Sequence, residues 1–182
     1  MTPITIDITN GDYTLSTDKT KLDIPFIHSF LSKEAYWSLN IPLDTVERAI
    51  DGSLCFGIYH TPQPTPGQTN QSTPGHPPQS TSGQTNQSTP GQTQVGFARI
   101  ITDYATIAYL GDVFVIPSHR GRGLSKWMIQ QVMTHPNLQG LRRWVLLTAD
   151  AHELYRKFGW VSIPHPEKYM ELHDPNVYKG KI

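Results

Sequence analysis

The chain has 182 residues, 37% of them hydrophobic, with 15 Lys and Arg balancing 15 Asp and Glu. That length supports one well-buried domain and not two comfortable ones, and the zero formal charge gives no electrostatic reason to expect nucleic acid or an anionic membrane as a partner. A single cysteine, no apolar run of membrane-spanning length and an N-terminus without the basic start and apolar core of a signal peptide make a cytoplasmic protein the expectation.

Taken in order, residues 4–15 alternate enough for extended structure broken by the turn signal Asn10-Gly11-Asp12. After Asp23 a helix is expected, with Pro25 in its first turn and Phe26, Ile27, Phe30 and Leu31 on one face. A second helix opens after Pro42, carries Leu43, Val46 and Ile50 as its apolar stripe and ends at Asp51-Gly52. Residues 53–59 read as a buried strand.

From residue 61 to 93 the character changes. An octapeptide repeats from Thr65, Thr73, Thr81 and Thr89, and the repeats hold no aliphatic or aromatic side chain. Such a stretch buries no apolar area to offset the entropy of ordering it, so residues 61–93 are expected to be a disordered insertion. The flanks, 54–59 and 95–101, are both strand-like, which makes the repeat the connection of a β-hairpin within a single domain spanning residues 1–182.

A long strand then runs over residues 105–116 and stops at Pro117. Gly121 and Gly123 follow, and Leu124, Trp127, Met128 and Val132 recur at helical spacing. A strand feeding a glycine-containing loop and a helix start presents free amides at the positive end of the helix dipole, a site for phosphate oxygens. Arg120 and Arg122 add fixed positive charge. The loop lacks the Lys-Ser/Thr of a Walker A sequence and is not G-x-G-x-x-G.

Past the helix end at His135-Pro136-Asn137, residues 144–148 form another apolar strand. Asp150 and Glu153 are spaced as a capping box for a helix carrying Leu154, Tyr155 and Phe158, which Gly159 stops. Residues 160–163 and 168–172 are strand candidates closing the chain.

Two of these motifs carry a resemblance. Arg120-x-x-Gly123-x-Ser125 resembles the acetyl-CoA signature of the GNAT superfamily of N-acetyltransferases, Gln/Arg-x-x-Gly-x-Gly/Ala, with Ser125 departing at the last position. Ala151-x-x-x-Tyr155-x-x-x-Gly159-Trp160 resembles the family's later Ala-x-x-x-Tyr-x-x-x-Gly-Phe pattern, with Trp160 where Phe is usual, and Thr148 stands where many members carry Asn. The motifs occur in the family's order, and the resemblance covers everything except the repeat.

The resemblance implies an α/β fold of the α+β type: a mixed, mostly antiparallel sheet flanked by helices and splayed at an acetyl-CoA cleft. It implies acetyl transfer to a primary amine of a small molecule or peptide by direct attack, with acetyl-CoA as co-substrate and no metal. Backbone groups at Phe114 and Val115 would hold the pantetheine arm, and Arg120, Gly121, Arg122, Gly123, Leu124 and Ser125 the pyrophosphate. Tyr155 matches the position of the acid that protonates the leaving thiolate; its ordinary pKa near 10 keeps it a donor at neutral pH. For the base, Asp112 comes first, with Tyr109 and Asp103 as alternatives. Tyr36, Trp37 and Tyr104 are candidates to line the acceptor pocket. His28, His119, His152 and His173 show no close metal-ligand pairing. Monomer and homodimer both remain open, and the alternative function is a non-catalytic acyl-CoA-binding module with the repeat as an interaction arm.

Overall fold

A computed structural model of the chain describes residues 4–62 and 91–179; the octapeptide repeat lies almost wholly outside the described residues. The first hairpin joins β1 (Asp7–Asn10) to β2 (Tyr13–Ser16). Asn10 pairs with Tyr13, so Gly11 and Asp12 are the turn, and Gly11 takes the positive φ of 58° that glycine adopts without steric penalty. Helix α1 (Ile24–Lys33) starts where Asp23 accepts a hydrogen bond from the Phe26 amide, with proline in its first turn. It buries Ile27, Phe30 and Leu31. Helix α2 (Leu43–Asp51) buries Val46 and Ile50. Leu43, expected on the same stripe, opens the helix and stays 44% exposed.

Strand β3 (Leu54–His60) pairs antiparallel with β4 (Thr93–Thr102), and the ladder reaches His60↔Thr93. The expected insertion boundary at residue 93 is therefore corrected inward: Thr93 is already a strand residue. Strand β5 (Ile107–Val115) returns antiparallel to β4, helix α3 (Leu124–Thr134) crosses over, and β6 (Arg143–Leu146) pairs parallel with β5. The six strands lie in sequence order. Helices cover both faces, which is why β3 is buried almost throughout rather than alternating. Phe56, Ile58, Ile100 and Leu110 face α3, whereas Cys55, Phe97 and Phe114 face α1 and α2.

One feature of the sheet positions the site. Pairing between β5 and β6 runs only from Ile107↔Arg143 to Leu110↔Leu146. From Gly111 onward β5 has no β6 neighbour, so the sheet opens along its second half.

Two expectations fail near the C-terminus. Helix α4 (His152–Arg156) has Ala151 at its N-cap without a side-chain hydrogen bond, so the capping box from Asp150 does not form. The Ala151 amide is satisfied by the Thr148 hydroxyl, and Glu153 is turned to Arg156 instead. Residues 160–163 and 168–172 are not strands. Pro164 and Pro166 remove two ladder donors between them, a 3₁₀ turn forms at Pro166–Lys168, and Met170 and Leu172 project fully into solvent. Among the described residues no helix is long and apolar enough to cross a membrane, and no group of three or more His, Cys, Asp or Glu is placed to hold a metal ion.

Candidate active site

The open half of β5 begins with a kink. Phe97 pairs with Phe114 and Arg99 with Gly111, so Asp112 and Val113 together face the single residue Ala98. This is a β-bulge, and Asp112 absorbs it at φ 54°, a left-handed conformation that a residue with a Cβ adopts at a steric cost. The Asp112 carboxylate is held from two elements. Arg99 Nε on β4 donates to Oδ2 at 2.7 Å, Trp37 Nε1 from the loop between α1 and α2 donates to Oδ1 at 3.2 Å, and the Arg99 guanidinium also donates to the Ser53 hydroxyl at 3.2 Å. The ion pair is largely buried, with side chains 16% and 14% exposed. One donor sits on each Asp112 oxygen, which leaves each oxygen a further lone pair while fixing the direction in which it points. The arrangement suits Asp112 to orienting its neighbours. Asp103, an alternative base, is tied into the turn between β4 and β5, where the Thr106 hydroxyl and the amides of residues 105–107 hold its carboxyl far below the usual range. Tyr109 on β5 is pushed up, chiefly by burial.

Beyond the bulge the ladder decides which backbone groups are free. The Ile116 amide donates to the Val95 carbonyl, so alternation turns the polar groups of Phe114 towards β4 and those of Val115 away from it, to the open side. The Val115 carbonyl indeed accepts from Arg120 Nε at 2.9 Å on that side. Phe114 therefore departs from expectation: its amide and carbonyl face β4, and its ring stacks on Phe30 at 3.9 Å and 9° in the α1–α2 core.

The phosphate loop is built as its sequence requires. Gly121 and Gly123 take φ of 76° and 78°, and a Cβ at either would meet nothing within 4 Å. Backbone conformation, not crowding, demands glycine there. Gly123 is the N-cap of α3 and offers no side chain, which leaves the first-turn amides of Leu124 and Ser125 open beside Arg120 and Arg122. His119 borders the loop. Its Nδ1 meets the Tyr13 hydroxyl at 2.9 Å and its ring lies 4.9 Å from that of His60; burial first, then His60 and Arg122, lower its pKa.

On the β6 side, α4 carries Tyr155 into the core with 7% exposure, its ring 5.9 Å from Trp160. Burial first, then Asp150, Tyr36 and Tyr109, push its hydroxyl up to about 12, so it stays protonated. Tyr155 also lines a cavity of about 410 Å³ with Trp144, Leu146, Trp160, Ile163 and Tyr169, in the place where closing strands were expected.

Adjacent residues Tyr36 and Trp37, packed edge to face at 5.0 Å, touch the two lips of the opening. Trp37 bonds Asp112 on β5, and the Tyr36 hydroxyl accepts from the Ala149 amide just past β6 at 3.0 Å. Tyr104 does not join them. It occupies the turn before β5 at φ 58°, at the opposite end of that strand from the phosphate loop, and packs on the α3-side core. Sequence reasoning missed Arg99 and Ser53. The signal was present in Arg99 as the lone charge within the apolar stretch from Val95 to Ile101, which implies a buried partner.

Residues 87–162 match the model of a family described as an acetyltransferase (GNAT) domain. A protein of Gibberella zeae, FG08082, is 35% identical over 153 residues, covering 82% of this chain and 78% of its own. A crystal structure from Xanthomonas campestris pv. campestris is 44% identical with a TM-score of 0.73, covering 92% of this chain and 96% of that one. Both carry the name "putative acetyltransferase", the second with the words "belonging to the gnat family". A Clostridium acetobutylicum protein solved with acetyl-CoA, 15% identical at a TM-score of 0.54 over 88% of this chain and 94% of that one, shares the fold. With relatives of this identity spanning most of both chains, and with the opened sheet and the glycine loop in the places the motifs predicted, the chain belongs to the GNAT family of acetyltransferases.

Proposed function

We propose that this chain is an N-acetyltransferase that moves the acetyl group of acetyl-CoA to a primary amine of a small molecule or peptide by direct attack. The observation that carries the reading is the opening of β5 from β6 after Leu110, with uncapped α3 amides at one end and the neutral, buried Tyr155 on the other lip. The Clostridium protein's title names acetyl-CoA, and that of a Mycobacterium tuberculosis protein, 16% identical at a TM-score of 0.50, names CoA.

The loop fits a pyrophosphate on its own chemistry: open first-turn amides, two arginines, and glycines whose surroundings leave room for the anion. Val113 and Val115, turned to the open side, would bond the pantetheine arm, and the Val113 amide would receive the thioester oxygen as charge develops on it. The neutral amine forms the C–N bond as the C–S bond breaks. The Tyr155 hydroxyl gives its proton to the departing sulfur, and the proton lost by the amine leaves to water, which returns the phenol. Tyr36 and Trp37 would flank the acceptor.

The test is to titrate acetyl-CoA by calorimetry and to screen amines, amino acids and peptides for release of free CoA thiol. Saturable binding with amine-dependent release supports the reading. Binding without release from any amine points to a non-catalytic acyl-CoA-binding module, and the absence of binding refutes both.

A further inference from the structure

We infer that Arg99, Asp112 and Trp37 are positioning residues that hold the β5 bulge and thereby aim the Val113 amide into the cleft; the inference rests on the acetyl-transfer reading of that cleft. Arg99 is the sole charged residue of β4 and Asp112 the sole charged residue of β5. Carried on from Phe97↔Phe114 without a bulge, the register would pair Arg99 with Asp112 as ordinary cross-strand neighbours. Instead Arg99 pairs with Gly111, and Asp112 sits at φ 54°. A non-glycine residue holds that conformation where its surroundings over-determine it.

The surroundings here do so from two directions. The guanidinium is anchored by Ser53, whose own hydroxyl donates to the Ala49 carbonyl at 2.7 Å, so the cation is fixed at the corner between α2 and β3. It grips Oδ2, while Trp37 grips Oδ1 from the loop between α1 and α2. Charge-assisted bonds in a largely buried setting are the strong kind, and a second donor on the other oxygen removes the freedom to swing. The kink lies two residues past Leu110, where β5 parts from β6. The side chains fix the backbone, and the backbone presents the amide.

The experiment compares glycine with alanine at position 112 after the ion pair has been removed. In an Arg99→Met background, glycine takes φ 54° freely and alanine does not, while neither supplies a carboxylate. Arg99→Met/Asp112→Gly is expected to have a kcat at least fivefold above that of Arg99→Met/Asp112→Ala. Acetyl-CoA Kd should agree within about threefold between them, because the phosphate loop is untouched. Equal kcat values for the two double variants overturn the inference. Trp37→Phe alters a side chain 44% exposed and spares the core. It is expected to lower kcat two- to fivefold with acetyl-CoA affinity unchanged, and a wild-type kcat overturns Trp37's part. The chemical shift of the Val113 amide on adding acetyl-CoA gives a readout independent of turnover. It should move strongly in the wild-type and Gly forms and weakly in the Ala form. If no amine is acetylated by the wild-type protein and this pattern still appears, acetyl transfer is refuted and the positioning role stands.

Discussion

Replacing Tyr155 by Phe removes one oxygen from a residue that is 7% exposed and whose hydroxyl bonds no other described residue. No partner is orphaned, so the fold should lose less than about 1 kcal/mol. Burial pushes the hydroxyl up from its ordinary 10 to about 12. The group is thus an acid across the working range and never the deprotonated form that would be useless to a leaving thiolate. A positioned acid is worth roughly 10²–10⁴-fold in rate, or about 3–5 kcal/mol of barrier. Tyr155→Phe should therefore lower kcat by that factor, with acetyl-CoA Kd within about threefold of wild type. The assay follows CoA thiol release under saturating acetyl-CoA, with a pre-steady-state run to establish that chemistry limits turnover. The wild-type profile should climb with pH as the amine loses its proton and show no descending limb below about pH 9, where the fold is still at full stability. A kcat unchanged in Tyr155→Phe, with chemistry limiting, refutes the assignment. A wild-type descending limb centred near pH 8 to 9 that vanishes in the variant refutes the burial argument, because the tyrosine would then ionise far below its inferred value.

Gly123→Ala places a Cβ in open space but at φ 78°, so it should destabilise by about 1–2 kcal/mol through backbone strain; if the loop relaxes to relieve it, acetyl-CoA affinity should fall at least tenfold by calorimetry. Phe114→Ala removes a 5% exposed ring stacked on Phe30 and close to Phe26 and Phe97, and denaturant melts should show a loss of about 3–5 kcal/mol. Alkali should unfold the protein in a defined window. Burial raises Cys55 and Tyr155 each to about 12 and Tyr59 further, and groups whose folded pKa exceeds the unfolded value give stability that is full below about pH 9 and lost as pH rises towards 12. The melting temperature should be flat to pH 9 and drop steeply above it, and Cys55→Ala should make the first part of that drop shallower.

The elements whose residues carry their own instructions are legible in the order of residues. Asp23 and Pro25 start α1, Gly11 turns the first hairpin, and Gly121 and Gly123 make the phosphate loop, because capping, turn conformation and positive φ are properties of a few adjacent residues. Tyr36, Trp37 and Asp112 stand in the sequence as separate candidates and prove to be joined through one hydrogen bond and one edge-to-face contact. The family resemblance groups Tyr104 with Tyr36 and Trp37 at the acceptor pocket, but Tyr104 sits in the turn before β5, at the end of that strand away from the phosphate loop. The capping box at Asp150 matches its pattern and still fails: the helix starts one residue later, with Ala151 at its N-cap, and Glu153 is turned to Arg156.

The order of strands and helices, the phosphate loop, the tyrosine helix and the octapeptide repeat, whose period is visible nowhere else, follow from the sequence with no knowledge of how distant segments meet. These are short-range facts, set by periodicity, proline and glycine. Only the folded chain shows that β5 and β6 part after Leu110, that Arg99 faces Gly111 rather than Asp112, and that the Phe114 backbone belongs to β4. The fold also leaves residues 160–172 outside the sheet despite their strand-like composition. The first three share one cause: register and pairing depend on partners a dozen or more residues away. A one-residue bulge reverses which side of a strand is free without altering a letter of its pattern.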